Sequence, residues 1–378
     1  MKRIPHVLTA IAALLCASAR AETDGLSADD ERIVAALPAV PPGLNGGYDL
    51  EVKPAARISA VYTYTVNAPD LTAKEWELFL PRPQDFPGQK ILRAGITPEN
   101  SVVADLSPLG RPLMRRRVTA DTPLLAREIT LEAKIQATLF SRRLVARSGG
   151  GGNQAPALAD RERRLFLRCT PQFDHTSEAV RQWMVSNRLK RGVSEGEVDF
   201  ARRVFQVIAK GFHYEYLGEQ DRSAASVCVA GKSDCGGMAV LFVTALRVQG
   251  IPARALAGRW AQSAKPDDKI GPIKYYQEHV KAEFFAQGVG WVPADLSSAV
   301  LHDPSPAKLE FFGNDRGDFL TFHLDNDLII DTLHFGVKGM PWLQDAAYWV
   351  TGTGSVTNAE IRQSWSVTNT IIPPASAR

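Results

Sequence analysis

The sequence predicts an α+β fold, with helices packed on an antiparallel sheet, preceded by an all-β domain of sandwich type. Apolar and polar residues alternate from Ile129 to Leu139, which is typical of a half-buried strand in an antiparallel sheet. From Ser177 onward, apolar residues recur instead at spacings of three and four, as in amphipathic helices. Alternation returns after Pro252, and helices followed by strands favour an α+β domain.

The chain has 378 residues, 45% hydrophobic and 22% charged, a composition typical of a globular protein with two or three domains. Four consecutive glycines, Gly149 to Gly152, mark the best linker, because glycine costs entropy to order and has no side chain to bury. We predict a signal peptide, a leader segment, an all-β domain, a Gly-rich linker, an α+β core and a C-terminal extension at residues 1–21, 22–47, 48–147, 148–160, 161–340 and 341–378.

The first 21 residues have the pattern of a secretory signal peptide. Lys2 and Arg3 precede a short apolar run, and Ala19-Arg20-Ala21 supplies the small residues of a cleavage site. The apolar run is too short to span a bilayer comfortably, so we expect no stable membrane span. The protein is therefore predicted to be exported, either to the periplasm or outside the cell.

Charge and histidine spacing exclude two classes of partner. The chain has 44 basic and 41 acidic residues, and the predicted signal peptide contains three of the basic ones and no acidic one. A neutral mature chain lacks the concentrated basic surface that nucleic-acid phosphates require. The histidines show no metal-binding spacing, and Asp325 and Asp327 are more simply a turn than a cation site. We predict no nucleic-acid partner, no metal and no cofactor.

Cys235 begins a predicted helix and is the candidate nucleophile. Ser233 and Asp234 before it are good N-cap residues, and Gly250 with Pro252 ends the helix. Unpaired N–H groups and the helix dipole at this end favour a thiolate over a thiol. The alternative is a cysteine that only packs in the core, so the prediction depends on a nearby base.

The other two cysteines of the predicted mature chain are Cys169 and Cys228. An odd number of cysteines in an oxidising compartment leaves two states open. Either Cys169 pairs with Cys228 and leaves Cys235 reactive, or all three are free thiols.

His279 and Asp295 lie on either side of a predicted hairpin loop, Ala286 to Val289. If the turn is centred on Gln287, the two residues face each other with Cβ atoms about 5 Å apart, close enough for an imidazole–carboxylate hydrogen bond. A cysteine, a base and an orienting carboxylate form a thiol acyl-transfer triad. The backbone N–H of Cys235 is then a natural donor to the oxyanion.

Four motifs in this order resemble the transglutaminase-like superfamily, over about residues 165 to 335. They are Asp234-Cys235-Gly236-Gly237, Gly250-Ile251-Pro252-Ala253-Arg254, Glu278-His279-Val280 and Trp291-Val292-Pro293-Ala294-Asp295.

The resemblance implies a papain-like core in which Cys235 is the nucleophile, His279 the general base and acid, and Asp295 the orienting carboxylate. Tyr214 or Tyr216 is a further candidate for the oxyanion site. The calcium loop and later β-domains of the animal enzymes have no recognisable counterpart here, so neither calcium control nor crosslinking is implied.

We therefore expect an exported thiol enzyme that cleaves or transfers an amide bond of a protein or peptide, such as a cell-wall peptide, through a thioester on Cys235. Hydrolysis is favoured, because nothing in the sequence indicates how water would be excluded or an amine admitted. The alternatives are a protein-glutamine γ-glutamyltransferase that crosslinks proteins, and a non-catalytic binding module on the same fold. A weaker third option is redox sensing through Cys228 and Cys235.

Overall fold

The computed structural model describes residues 26–40, 43–97, 101–119, 127–147, 155, 157–263, 269–270, 273–274 and 277–372. The predicted signal peptide and the glycine run at 149–152 lie outside these residues. Within the described part of the chain, no helix has the length and apolar character needed to cross a membrane.

The helices of the described chain are α1 (Ala28–Ala35), α2 (Asp160–Leu165), α3 (Glu178–Ser186), α4 (Glu197–Gly211), α5 (Ala224–Ala230), α6 (Cys235–Val248) and α7 (Leu296–His302). The strands are β1 (Tyr48–Asn67), β2 (Leu71–Pro81), β3 (Gln89–Thr97), β4 (Ser101–Ala104), β5 (Pro112–Thr119), β6 (Glu128–Ala146), β7 (His213–Tyr214), β8 (Lys232–Ser233), β9 (Ala253–Trp260), β10 (Lys269–Ile270), β11 (Ile273–Lys274), β12 (Glu278–Ala286), β13 (Gly290–Ala294), β14 (Asn314–Asp315), β15 (Phe319–Leu324), β16 (Leu328–Thr332), β17 (Gly336–Met340), β18 (Ala347–Gly354) and β19 (Glu360–Ile371).

The core is built on a four-stranded antiparallel sheet in the order β13-β12-β9-β15, with α6 packed against β9 and β12. Residues 236–247 of α6 are all buried, and the Phe242 ring packs edge-on against Phe284 of β12. Helices α4, α5 and α7 surround α6. The α+β fold class predicted from the sequence is confirmed.

Both ends of α6 follow from the local sequence. Asp234 is the N-cap and accepts a hydrogen bond from the Gly237 N–H at 3.1 Å. Gly250 follows the helix with a φ of +72°, where a Cβ would lie 2.0 Å from the carbonyl oxygen of Pro38. The leader segment therefore passes directly over the C-terminal end of the helix.

Two further sheets form the β-sandwich. In one, the strands run β14-β6-β1-β19 with β3 also paired to β6, and in the other they run β18-β2-β5-β4. The strand predicted at Ile129–Leu139 lies within β6, where residues 129 to 139 are buried at every second position. Trp76 and Tyr62 fill the space between the sheets together with these residues.

The last strands of the chain return to this sandwich. Strand β19 pairs with β1 and strand β18 pairs with β2, both antiparallel. The predicted C-terminal extension therefore supplies one strand to each sandwich sheet.

The sandwich and the core contact each other through buried charged and aromatic side chains. Arg142 of β6 binds Glu283 of the core at 2.5 Å. Arg259 of β9 lies 4.7 Å from the centre of the Tyr62 ring. The indole N–H of Trp365, on β19, donates to the carbonyl oxygen of Trp260 at 2.9 Å. A side chain near the C-terminus thus reaches the strands that carry the site described below.

We expect Trp365→Ala to lower the free energy of unfolding by about 3–5 kcal/mol, because it removes a buried aromatic side chain and its hydrogen bond. Urea unfolding of the full chain measures this loss. The exposed Ser366→Ala on the same strand is the matched control, with an expected change within about 0.5 kcal/mol. Equal stability of the two variants would contradict the packing of β19 on the sandwich.

Candidate active site

Cys235 is the first residue of α6 and is partly buried. The backbone N–H of Val280, on β12, lies close enough to the thiol to favour its charged form. Strand β13 pairs with β12 only from Ala282 onward, so Val280 lies beyond that pairing. The start of the helix therefore meets β12 where its edge is open, directly beside His279.

His279 and Asp295 are held together by a hydrogen bond of 2.8 Å between Nε2 and Oδ2. A carboxylate only accepts hydrogen bonds, so Nε2 carries the hydrogen. Among the described residues no group hydrogen bonds Nδ1 of this ring. Nδ1 is therefore the ring nitrogen that remains to accept a proton.

Asp295 is also the N-cap of α7. Its Oδ1 accepts a hydrogen bond from the Ser298 N–H at 3.0 Å, while Oδ2 binds the imidazole. The sequence brings the carboxylate to this position by ending β13 at Ala294 and starting a helix two residues later. Helix capping and orientation of His279 thus use the two oxygens of one carboxylate.

The predicted hairpin register was wrong by two residues. Ala282 pairs with Ala294, which centres the turn on Gly288 instead of the preceding residue. Gly288 has a φ of +79°, a conformation that favours glycine. A shift of two keeps His279 and Asp295 on the same face of the sheet, as diagonal neighbours. The predicted contact still forms, because Asp295 lies beyond the end of β13 and caps α7.

Aromatic and amide side chains fix the position of His279. The Trp260 ring stacks on the imidazole with centroids 4.6 Å apart, and Phe319 meets it edge-on at 5.9 Å. The side-chain amide of Gln344 donates to the carbonyl oxygens of His279, at 2.8 Å, and Gly258, at 2.9 Å. The sequence analysis missed these residues, because their proximity depends on packing between distant segments.

The environment keeps Asp295 ionised. Burial by itself would raise its pKa, but the His279 ring, the Lys281 ammonium and the Ser298 N–H stabilise the charged form and lower the pKa to about 2. The imidazole therefore faces a carboxylate throughout the neutral pH range.

The thiol behaves differently from the sequence prediction. Burial raises the pKa of Cys235, and the carboxylates of Asp234 and Asp295 raise it further, while the Val280 N–H and the Arg222 guanidinium oppose them. The sequence analysis expected the helix start to favour a thiolate, but burial and the adjacent N-cap charge shift the pKa in the other direction. The thiol is therefore protonated at neutral pH.

Two tyrosines lie close to Cys235. Strand β7 pairs in parallel with β8, which sets Tyr214 beside Ser233, two residues before Cys235. Burial raises the pKa of Tyr214, and the negative charge of a thiolate at Cys235 raises it further. Tyr216 is 40% exposed, and its ring lies 5.7 Å from the Arg222 guanidinium. Both phenols are therefore protonated near the site.

A cavity of about 320 Å³ adjoins the side of the site formed by Asp295. Its lining is mixed in charge and includes one aromatic residue that contacts the imidazole. The lining residues are Trp260, Lys281, Asp295, Ser298, His302, Glu310, Phe311, Asn314, Arg316 and Asp318.

The aspartates near the predicted turn at 325–327 are paired with arginines. Asp325 binds Arg247 at 2.8 Å and Arg168 at 3.4 Å, and Asp327 binds Arg168 at 2.6 Å and Arg111 at 3.0 Å. These cations neutralise the carboxylates that a metal ion would need. The three described cysteines, Cys169, Cys228 and Cys235, are free thiols.

An acid pair lies at the start of β12, where Glu278 precedes His279 in the chain. The carboxyl groups of Glu278 and Asp345 share a hydrogen bond, and Arg259 binds both. Burial raises the pKa of Glu278 to about 8, with the charge of Asp345 adding to the shift and Arg259 opposing it. Glu278 therefore keeps its proton in the folded protein over a pH range in which an exposed glutamate has lost it.

Comparison with known proteins agrees with the motifs. Residues 184–296 match the model of the family described as the transglutaminase-like superfamily, which confirms the resemblance. The match includes Cys235 and His279 and ends one residue after Asp295. No curated protein matches the chain.

Solved structures with similar folds include a candidate cysteine protease from Cytophaga hutchinsonii, 12% identical, with a TM-score of 0.49 over 84% of this chain and 100% of that chain. The periplasmic domain of TgpA from Pseudomonas aeruginosa, in a form bound to ethylmercury, is 15% identical, with a TM-score of 0.33 over 66% of this chain and 92% of that chain.

We expect Glu278→Gln to make stability less dependent on pH. The folded-state pKa of Glu278 lies above the unfolded value of about 4.3, so the folded state binds this proton more tightly. The folded protein therefore loses stability as the pH rises from about 4.3 to about 8. Glutamine has no proton to lose. Between about pH 5.5 and about pH 8, the Tm of Glu278→Gln should fall less than that of the wild type, by about 2 °C.

Differential scanning fluorimetry at both pH values measures this difference, with the exposed Glu360→Gln as the matched control. Parallel Tm curves for the wild type and Glu278→Gln would show that no proton is shared at this position.

Proposed function

We propose that this chain, which has a core of the transglutaminase-like superfamily at residues 184–296, is an exported thiol enzyme that hydrolyses an amide bond of a protein or peptide. The observation that carries the proposal is the His279–Asp295 hydrogen bond. The residue after His279, Val280, has its backbone N–H near the thiol of the helix-terminal Cys235. Export rests on the pattern of the first 21 residues.

In the first step, Nδ1 of His279 accepts the thiol proton as the Cys235 sulfur attacks the carbonyl carbon. The raised pKa of the thiol means that deprotonation accompanies the attack. The backbone N–H of Cys235 and the phenol of Tyr214 are the candidate donors to the oxyanion. Collapse of the tetrahedral intermediate breaks the C–N bond, and the imidazolium gives its proton to the leaving amine.

The second step hydrolyses the thioester on Cys235. His279 accepts a proton from water as the water attacks, and it returns this proton to the leaving sulfur. Asp295 stays charged and stabilises the imidazolium in both steps. Water is the proposed acceptor because nothing in the sequence indicates how water would be excluded or an amine admitted.

Hydrolysis and crosslinking differ in the acceptor of the acyl group. Incubation with a glutamine-containing peptide and a primary amine separates them by mass, because hydrolysis gives an acid and transfer gives a secondary amide. We expect the acid. A secondary amide as the main product would favour the transferase alternative.

We expect Cys235→Ala to abolish peptide hydrolysis, and Asp295→Asn to lower kcat by about a hundredfold or more, because the asparagine no longer fixes the imidazole tautomer or balances its charge. The exposed Asp331→Asn is the matched control and should keep wild-type activity. Hydrolysis of a peptide library is followed by mass spectrometry, and intact mass detects an acyl group on Cys235.

Unchanged hydrolysis in folded Cys235→Ala would contradict the proposal. Binding of peptides by both proteins, with no acyl adduct and no cleavage, would favour the binding-module alternative.

A further inference from the structure

We propose that Arg222 is a positioning residue for the nucleophile: it neutralises the Asp234 carboxylate beside Cys235 and holds residues 215–222 against the start of α6. The proposal rests on Cys235 being the reactive thiol of the proposed function. It adds a residue that lies 13 positions before Cys235 and outside the motifs of the triad.

The Arg222–Asp234 pair is nearly buried. Nε of Arg222 donates to Oδ2 of Asp234 at 2.7 Å, and Nη2 lies 2.7 Å from the same oxygen. The two side chains are 17% and 4% exposed. Ion pairs with this little solvent contact are screened weakly, so loss of one partner leaves a charge that water does not compensate.

The Asp234 carboxylate has two opposing effects on Cys235, and Arg222 offsets the unfavourable one. Its Oδ1 caps α6 by accepting the Gly237 N–H, so the helix that presents Cys235 depends on this carboxylate. The same negative charge next to the sulfur disfavours a thiolate. A cation on Oδ2 leaves Oδ1 free to cap the helix and offsets the charge.

Arg222 also ties the neighbouring loop to the helix. Its Nη1 donates to the Gln220 carbonyl at 3.2 Å, and its Nη2 donates to the Leu217 carbonyl at 3.1 Å. Its guanidinium lies 5.7 Å from the ring centre of Tyr216. Its Cδ lies against the backbone of Gly236, 3.4 Å from where a Cβ would be. The residue after the nucleophile thus packs directly on this side chain.

The thiol is surrounded by several ionisable groups, and Arg222 must act in their presence. They come from the helix cap, the loop, β7, β12 and the start of α7. These groups are Asp234, Arg222, Tyr216, Tyr214, Asp295 and, through its hydrogen bond to Asp295, His279. Without Arg222, no guanidinium offsets the negative charges of Asp234 and Asp295. These charges then disfavour the thiolate more strongly, so the thiolate forms at higher pH.

The test is the rate of alkylation of Cys235 by iodoacetamide as a function of pH, measured on the full chain by peptide mass spectrometry. Cys169 and Cys228 serve as internal references in the same samples. We expect Arg222→Gln to shift the Cys235 profile upward by about one pH unit, so that alkylation near pH 8 is about tenfold slower. Arg222→Lys, which keeps the charge, should recover part of this rate.

A double-mutant cycle isolates the charge effect. Asparagine is also a good N-cap residue, so Asp234→Asn keeps the helix start while it removes the charge. We expect Asp234→Asn to shift the profile downward and the added Arg222→Gln to have little further effect. Arg362→Gln, which removes a comparable but exposed ion pair with Glu128, is the matched control and should leave the profile unchanged.

Coincident profiles for the wild type and Arg222→Gln would overturn the proposal. An equal slowing by Arg222→Gln in the wild-type and Asp234→Asn backgrounds would overturn it too, because it would mean that Arg222 acts only through structure. The readout uses no peptide substrate. A shifted profile in a protein that cleaves no peptide would therefore support the role of Arg222 while it counts against the proposed function.

Discussion

The arrangement of the site depends on one carboxylate that is shared between a helix and an imidazole. Asp295 caps α7 through Oδ1 and holds His279 through Oδ2, so the strand-to-helix transition itself sets the direction of the ring. A buried carboxylate is costly unless it is paired and hydrogen bonded. The imidazole, Lys281 and the Ser298 N–H meet this requirement together. Loss of the cap would therefore displace the base as well as the helix.

At the start of α6 a single carboxylate, that of Asp234, also has two effects, and here the two effects oppose each other. The Asp234 carboxylate stabilises the helix, yet it opposes ionisation of Cys235. Helix capping and the helix dipole are short-range effects of modest size, while desolvation of a thiolate is larger. In the proposed mechanism the thiol therefore gives its proton to the imidazole, so the spacing between sulfur and Nδ1 matters more than the ionisation of an isolated cysteine.

Local patterns in the sequence predicted the parts of this site that depend on local structure. Alternation located β6 and cap residues located α6. The ordered motifs singled out Cys235, His279 and Asp295, and the last two are joined by a hydrogen bond. The hairpin register was missed, because glycines at two turn positions make more than one register sterically possible. Trp260 and Arg222 were missed because their contacts depend on how separate elements pack together, which no local pattern predicts.

The sandwich is coupled to the base through a short series of contacts. Trp365 donates to the carbonyl of Trp260, and the Trp260 indole stacks on the His279 ring. Strand β19, which carries Trp365, pairs along twelve residues of β1 and cannot shift without breaking that ladder. The position of the imidazole is thus constrained on one side by a helix cap and on the other by a strand near the C-terminus. Since proton transfer requires hydrogen-bond distances, a sandwich that holds Trp260 in place would, in the proposed mechanism, help to position the imidazole without touching substrate.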